Sequence, residues 1–233
     1  MQENDRTVRL NSNLWGMRAL STHKPPLIRS GATTRQDQRR EAILAVAREV
    51  FNEMGYEAAS MSMIATRLGG SKGTLYNYFP SKEALFEAHI RGVCTLFADG
   101  LFDFPADRPV AEVLTRFGES YVTQLMSDRA VRTFQIVVAE ADRTPELARI
   151  FYEAGPAVGL DHLQDYIEGA KARGQIDPPD CALAAAQFFS LCRGQQHLPR
   201  VLNVTSSPTR KVIAYQVASA VTMFMARYGA GAG

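Results

Sequence analysis

The chain has 233 residues, of which 46% are hydrophobic and 21% are charged, and its formal net charge at pH 7 is +2. This composition is typical of a globular protein and excludes fibrous and fully disordered chains. No apolar stretch is long enough to cross a bilayer. The N-terminus lacks the apolar run of a signal peptide, so we expect a cytoplasmic protein without a membrane partner.

The chain is predicted to begin with a flexible basic arm over residues 1–34, which show no apolar periodicity and include Pro25-Pro26. Residues 1–40 carry eight Lys or Arg and three Asp or Glu, whereas the rest of the chain is slightly acidic. A solvated tail and a contact with a polyanion both fit such an arm.

Four helices are predicted next. Apolar residues recur at helical spacing from Gln36 onward, which indicates an amphipathic helix that ends at Gly55. Two short helices follow, with Ser60 and Ser71 as their N-caps. Ser81 is expected to cap a fourth helix that runs toward residue 102.

The remainder of the chain shows no sustained alternation of apolar and polar residues, which favours an all-α fold. Helices are predicted near 109–126, 129–141, 145–173 with a break at Gly155-Pro156, 179–198 and 209–228. The last two are apolar over more than one face, so they should bury more surface than an outer helix of a monomer.

The sequence offers little for metal or cofactor chemistry. The cysteines, at positions 94, 181 and 192, lack the short spacings of zinc sites, so we expect reduced, buried thiols and no metal or cofactor. Glu140 and Asp142 form an acidic pair without a Ser or His partner at a suggestive spacing. We expect them in a solvated turn or paired with Arg143 or Arg149, and we expect no enzymatic activity.

The two short helices suggest a specific motif. Two helices joined by a turn of two or three residues must cross steeply, and Ala65 is small enough for the crossing, with Gly69 or Gly70 in the left-handed turn. Ile64, Leu68 and Leu75 would close a small core. This is the plan of a helix-turn-helix, whose second helix enters the major groove of DNA.

The outward side of that second helix carries polar groups that suit phosphate and base edges. Its first turn favours a phosphate, and Gly73 has no side chain to keep the phosphate away. A tyrosine in a short helix is also often half-buried core. The candidate DNA-binding residues are Ser71, Lys72, Gly73, Thr74, Tyr76, Asn77, Tyr78 and Lys82.

Residues from about 36 to 86, including FNEMGYEAASMSMIATRLGGSKGTLYNYFPSKEALF, resemble the DNA-binding domain of the TetR family of transcriptional repressors. The resemblance implies that Thr74, Tyr76 and Asn77 face the groove or its backbone. It also implies that Lys72, Tyr78 and Lys82 hold phosphates. The sequence departs from the family pattern at Leu68, where Ala is usual, and at Gly70, where Val is usual.

The segment RTFQIVVAEADRTPELARIFYEAGP and the later AAAQFFSLCRG resemble the AefR-like regulatory domain of the same family. This resemblance implies a helical domain that dimerises through its last two helices and encloses a pocket for a small, mostly apolar effector. Apolar faces supply the candidate pocket residues, each of which could equally belong to the core. They are Phe97, Phe117, Tyr121, Phe134, Val138, Phe151, Tyr152, Phe188 and Phe189.

The predicted organisation is an arm over 1–34, a three-helix DNA-binding domain over 35–81 and a ligand-binding and dimerisation domain over 82–230. The predicted function is that of a homodimeric repressor, which a small effector releases from a palindromic operator in double-stranded DNA. Two alternatives stay open. The first is an activator or a regulator without an effector, and the second is a helical enzyme or adaptor with a vestigial DNA-binding domain.

Overall fold

The computed structural model describes residues 34–98 and 101–231. The predicted arm lies almost entirely outside the described residues. Those residues contain no β-strand beyond an isolated antiparallel bridge between Ile176 and Gly229, which confirms the all-α prediction. The helices are α1 (Arg35–Ala58), α2 (Met61–Arg67), α3 (Lys72–Tyr78), α4 (Lys82–Ala98), α5 (Val110–Leu125), α6 (Asp128–Glu140), α7 (Pro145–Ala154), α8 (Pro156–Ala172), α9 (Cys181–Arg193), α10 (His197–Val201) and α11 (Arg210–Tyr228).

The predicted caps are present at the N-terminal helices. Gly55 interrupts α1 with a φ of 75°, a left-handed conformation that glycine adopts without steric cost. The Ser60 hydroxyl accepts a hydrogen bond from the Met63 amide at 3.2 Å, and the Ser81 hydroxyl accepts one from the Ala84 amide at 3.2 Å. Side chains within each short segment therefore satisfy backbone donors that a helix start leaves unpaired.

Two helix ends differ from the predictions. The predicted helix over 179–198 ends at Arg193, because Gly194 follows with a φ of 53° and the short α10 then begins at His197. Helix α4 is described as far as Ala98, and Leu101 and Phe102 lie in a turn, so the helix does not reach residue 102. At Gly194 the backbone conformation shows where α9 stops.

One hydrophobic cluster, here the N-terminal cluster, joins α1, α2, α3 and α4 to α6 and α7. It crosses the boundary predicted between residues 81 and 82. Its fully buried members include Phe51, Ile64, Leu75 and Phe86. Exposing one such side chain costs about 2 kcal/mol, so displacing α4 relative to α1–α3 is opposed by several of these contacts.

A second cluster, here the C-terminal cluster, joins α5, α8, α9 and α11. Helices α5 and α11 approach closely at Gly118, where a Cβ atom would lie only 2.7 Å from the Val217 Cγ1 atom. Phe117 packs edge-on against Phe189, with ring centroids 5.5 Å apart. The crossing of α5 and α11 therefore requires a residue without a side chain at position 118.

Helix α6 also bonds directly to α1 and α10. Arg132 donates from Nε and Nη2 to the Asn52 carbonyl oxygen, at 2.9 and 2.8 Å. Gln135 donates from Nε2 to the Val201 carbonyl oxygen at 2.6 Å. These bonds link the helix that supports α2 and α3 to the larger helical region.

Candidate nucleic-acid interface

The turn between α2 and α3 is set by backbone hydrogen bonds around Gly69. The Gly69 amide donates to the Thr66 carbonyl at 3.1 Å, and the Gly70 amide donates to the Ala65 carbonyl at 3.2 Å. This is the Schellman arrangement, which needs a left-handed residue at its centre. Gly69 has a φ of 67°, so it supplies the left-handed turn conformation. Of the two glycines predicted for this position, Gly69 is the one that occupies it.

Helix α3 is anchored on one side and exposed on the other. The Ser71 hydroxyl accepts a hydrogen bond from the Thr74 amide at 3.1 Å, and Leu75 is fully buried in the N-terminal cluster. The Phe79 amide closes the helix by donating to the Leu75 carbonyl at 3.0 Å. These contacts fix the rotation of α3 about its own axis, and with it the face that points to solvent.

The structure brings seven of the eight predicted DNA-binding residues together on α3 and its N-cap. The exposed ones are Ser71, Lys72, Gly73, Tyr76 and Asn77, while Thr74 and Tyr78 are half-buried. A Cβ atom on Gly73 would meet nothing closer than the Ser71 hydroxyl, at 3.8 Å, so the surface there is open. The Thr74 hydroxyl lies 3.0 Å from the Ser71 hydroxyl and is already hydrogen-bonded.

Lys82, the eighth predicted residue, has a structural role in addition to any contact with DNA. Its ammonium donates to the carbonyl oxygens of Tyr56 and Glu57, at 3.0 and 3.3 Å. It also lies 4.3 Å from the centroid of the Tyr56 ring, an arrangement that a cation stabilises. An ammonium has three N–H donors, so one remains for a phosphate.

Tyr56 extends this anchor to Glu83. The Tyr56 hydroxyl donates to the Glu83 carboxylate at 3.1 Å. Burial, followed by the charge of Glu83, raises the pKa of Tyr56 above its ordinary value. The start of α4 is thereby bound to the end of α1.

Two arginines beside the motif were not singled out from the sequence. A Cβ atom on Gly70 would lie 3.1 Å from a terminal nitrogen of Arg39, so this guanidinium occupies space that a larger residue would fill. The Arg40 guanidinium lies over the Phe79 ring, 5.1 Å from its centroid. The local excess of basic residues over 1–40 was the only signal for them, and it did not show which positions would meet the turn.

The nine predicted effector residues lie in different places. Four are buried in the C-terminal cluster: Phe117, Tyr121, Phe188 and Phe189. Phe134 and Phe151 are half-buried and pack together with ring centroids 6.1 Å apart. The side chain of Phe97 lies outside the described residues.

Val138 and Tyr152, the remaining two, are on the surface, and Val138 is 56% exposed. They do not enclose an apolar cavity in this conformation, because each lies on the outer side of its helix. Two clefts open between α1 and α6, and none of the nine residues lines either of them.

The acidic pair is divided, because Asp142 lies exposed in a turn as expected and Glu140 does not. Glu140 is only 5% exposed and its Oε2 atom has no hydrogen-bond partner within the described part of the chain, so the prediction of a solvated or ion-paired side chain is wrong for this residue. It lies one helical turn after Ile136, on the face of α6 that packs into the N-terminal cluster. Arg149 instead pairs with Glu146 and Glu153.

The thiols are free, and Cys94 and Cys192 are buried. Burial raises the pKa of Cys94 to about 11 and that of Cys192 to about 12, so both are protonated at neutral pH and poor nucleophiles. Over residues 34–98 and 101–231, no cluster of three or more His, Cys, Asp or Glu side chains could hold a metal ion. None of the helices described combines the length and hydrophobicity needed to span a bilayer.

Helix α11 presents an uncovered face. Tyr215 is 80% exposed, and Val212 and Met223 lie at helical spacing from it and are also exposed. Ala218 and Ser219 are small exposed residues between them. A helix face with large and small apolar groups in solvent is typical of a surface that packs against another protein.

Comparison with known proteins places this geometry in a family. The sequence profile of the AefR-like transcriptional repressor C-terminal domain matches residues 112–230, and that of the tetR family of bacterial regulatory proteins matches residues 43–89. The transcriptional regulator UidR of Escherichia coli K12 is 51% identical over 51 residues, which are 22% of this chain and 26% of UidR. The match to such curated relatives thus spans about a quarter of their length.

Solved structures match over most of the chain. A TetR-family transcriptional regulator from Mesorhizobium loti MAFF303099 is 26% identical with a TM-score of 0.77, covering 84% of this chain and 99% of that one. The Flavonoid-responsive Regulator FrrA is 33% identical with a TM-score of 0.72, covering 82% of this chain and 97% of that one. These relatives are transcriptional regulators rather than enzymes. The chain belongs to the TetR family of transcriptional regulators, with a helix-turn-helix in its N-terminal part and an AefR-like C-terminal domain.

Proposed function

We propose that this protein is a cytoplasmic, homodimeric repressor that binds a palindromic operator in double-stranded DNA. A small, mostly apolar effector releases it from that operator. The observation that carries the proposal is the outer face of α3, where Lys72, Tyr76 and Asn77 are exposed while Leu75 anchors the opposite side. Such a face can place a cation on a phosphate and an amide on a base edge.

Dimerisation supports this function because one seven-residue helix contacts only a few base pairs. Two copies related by a twofold axis would present two α3 helices about 35 Å apart, one turn of DNA. The exposed face of α11 is our candidate for the contact between copies, together with α9. In the dimer, Tyr215 and Met223 would be covered.

The effector would act through the regulatory helices. The match to an AefR-like repressor domain over 112–230 favours repression with ligand release. FrrA, as its name states, responds to flavonoids, and we infer that an aromatic compound of that kind is a suitable effector class. Phe117, Phe188 and Phe189 would have to repack to admit it, since they now fill the C-terminal cluster.

A coupling free energy of about 1–3 kcal/mol between effector and DNA would change DNA affinity by roughly 5- to 150-fold. Helix α4 is the physical link, because Phe86 and Ile90 pack with α1–α3 while Cys94 packs near Gly155. A shift of α4 would therefore change how the two α3 helices are spaced.

A second candidate is a regulator that needs no small effector. It is favoured by the close packing of the aromatic side chains in the C-terminal cluster, where Phe188 is fully buried. Screening aromatic compounds against the protein–DNA complex separates the two, since only the first candidate loses DNA affinity on ligand addition.

The test is a titration of the purified protein with its own upstream intergenic duplex and with a scrambled duplex, over a range of salt concentrations. We expect a complex with twofold protein stoichiometry and selectivity for the first duplex. Lys72→Ala should weaken binding to both duplexes and lower the salt slope by about one, because one phosphate contact is lost. Asn77→Ala should instead reduce the selectivity.

Arg116→Ala is the matched control, because this exposed arginine on α5 lies outside the motif and loses the same charge. If Lys72→Ala and Arg116→Ala bind DNA alike, with equal salt slopes, the proposed docking of α3 is wrong.

A further inference from the structure

A cleft of about 550 Å³ opens between α1 and α6, with α10 and the residue Asn203 closing one side. It lies at the junction of the helix-turn-helix and the regulatory helices, away from the aromatic residues assigned to the effector. The cleft is here called the junction cleft. Its lining residues are Arg48, Asn52, Asp128, Arg129, Val131, Arg132, Gln135, Arg200 and Asn203.

The junction cleft has a strong excess of positive charge, since four arginines and a single aspartate line it. Asp128 is already paired with Arg200, which also donates to the Met126 carbonyl at 3.3 Å. The aspartate therefore neutralises Arg200, and no acidic residue that lines the cleft remains to neutralise the other three arginines.

Those three arginines come from both sides of the cleft. Arg132 is held in place by its two bonds to the Asn52 carbonyl, at 2.9 and 2.8 Å. Arg48 on α1 and Arg129 on α6 form no ion pair or side-chain hydrogen bond with any residue of the described chain. Guanidinium groups that line one cleft without acidic partners repel one another, and an anion bound among them would offset that repulsion.

A buried imidazole, that of His89, is influenced by the charges of two arginines that line the cleft. Its side chain is 4% exposed, and its pKa is lowered to about 4, first by burial and then by the charges of Arg48 and Arg129. Arg48 and Arg129 belong to helices far apart in the sequence, and both line the junction cleft. His89 itself stays neutral at physiological pH and does not add to the positive charge.

Asn52 contributes a further feature. Its Oδ1 atom is buried without a hydrogen-bond partner in the described structure, and buried polar atoms of this kind are rare. Asn52 lines the same cleft as the arginines. The residue therefore combines an unsatisfied buried acceptor with a place in the wall of the cleft.

We propose that the junction cleft is a binding site for a small organic anion, with a carboxylate or phosphate group among Arg48, Arg129 and Arg132. Such a ligand bridges α1 and α6, so it favours the arrangement of the helix-turn-helix seen in the structure. The site is separate from the aromatic effector region. Any influence of the bound anion on DNA affinity rests on the proposed function, whereas the binding of the anion itself does not rest on it.

The experiment measures thermal unfolding of the full chain without DNA, with potassium phosphate or potassium citrate as the probe and potassium chloride at matched ionic strength as the reference. The expected result is an extra rise in Tm of about 3 to 6 °C when the probe is at ten times its dissociation constant. The double substitution Arg48→Gln and Arg129→Gln should abolish that extra rise. Arg116→Gln, which removes an exposed charge elsewhere, should retain it.

Multivalent anions also stabilise proteins generally by exclusion from their surface, and this effect does not depend on particular arginines. An equal rise in the wild type and the double variant therefore overturns the proposal, as does no rise beyond that in potassium chloride. A folded double variant is confirmed by its circular dichroism and its Tm in chloride. If it does not fold, single Arg129→Gln replaces it, and an undiminished probe response in that variant counts against the site.

A DNA-binding measurement tests the other possible occupant of these arginines, which is the phosphate backbone of DNA. If the double variant lowers the salt slope of DNA binding by about two and the probe response is unchanged, the arginines contact DNA and the proposal is wrong. If the probe response disappears and the salt slope stays the same, the proposal is supported. The thermal unfolding experiment contains no DNA. Its result therefore stays valid even if the proposed repressor function is wrong.

Discussion

Helices α2 and α3 are positioned by contacts within one short segment, whereas α5 and α11 pack together with all of α6 to α10 between them in the chain. Ser60, Gly69 and Ser71 shape the first pair through hydrogen bonds that span three to five residues. The second pair depends on Gly118 meeting Val217. The comparison teaches that the DNA-binding motif is encoded locally, while the regulatory region is encoded by long-range fit.

The largest effect is expected where long-range fit is tightest. Gly118→Val should lower the free energy of unfolding by about 3 kcal/mol, because its Cβ would lie 2.7 Å from Val217 Cγ1 and 3.2 Å from the Cys192 sulfur. Urea unfolding followed by circular dichroism measures the change.

The matched control is Gly92→Val, because Gly92 lies in α4 and a Cβ atom added there would meet nothing within 4 Å. Its effect should stay within about 0.5 kcal/mol, since only helix propensity changes. Equal stability losses at the two glycines would contradict the close crossing of α5 and α11.

The second-largest expected effect is a loss of stability at low pH, which arises from the buried His89 in α4. Its pKa of about 4 is below the value of 6.5 in the unfolded chain, so the unfolded state binds the proton first and stability falls as pH falls. Between pH 7.5 and pH 5 the wild type should lose about 2 kcal/mol of unfolding free energy through this group. Urea unfolding at the two pH values tests this.

His89→Met should be free of most of that loss, because methionine does not titrate and fits among Phe51 and Phe86. The half-buried His197, whose pKa is also lowered by burial, contributes in the same direction and is unchanged in this variant. Parallel pH profiles for the wild type and His89→Met would show that His89 is not buried as described.

The smallest effect concerns the local signals of the helix-turn-helix. Ser71→Ala should cost about 1 kcal/mol, since the Thr74 amide loses its cap. Ser120→Ala, at an exposed position within α5, should cost nothing measurable. Urea unfolding gives both values.

Ser71→Asp sharpens the comparison by separating the cap from a phosphate contact. An aspartate caps a helix as well as a serine does, so stability should be retained. DNA affinity should nevertheless fall, because a carboxylate repels the phosphate that Ser71 is proposed to meet. Unchanged DNA affinity in Ser71→Asp would remove Ser71 from the proposed interface.

Much of the fold was predictable because its signals are local. Gly55 and Gly69 adopt the left-handed conformation expected of them, and the serine caps bond within three residues. The exposed face of α3 followed from the same signals. The break at Gly194 carried a comparable glycine signal, but the helix was predicted to run through it to residue 198.

Other features could not be predicted because they depend on which distant helices meet. Lys82 was expected to contact a phosphate, and its additional bonds to carbonyls at the end of α1 were not foreseen. Glu140 was expected in solvent and lies buried against the N-terminal cluster. The aromatic residues chosen for one pocket are divided among the core, a half-buried pair and the surface.

The sequence by itself determined the all-α architecture, the helix-turn-helix and the face that α3 exposes, because caps, glycine turns and apolar periodicity act over three to five residues. Only the tertiary structure decided that Gly118 permits α5 and α11 to cross, and that Arg48 and Arg129 line one cleft. Those arrangements arise from helices distant in the chain, whose relative positions follow from the packing of the whole core rather than from any local pattern.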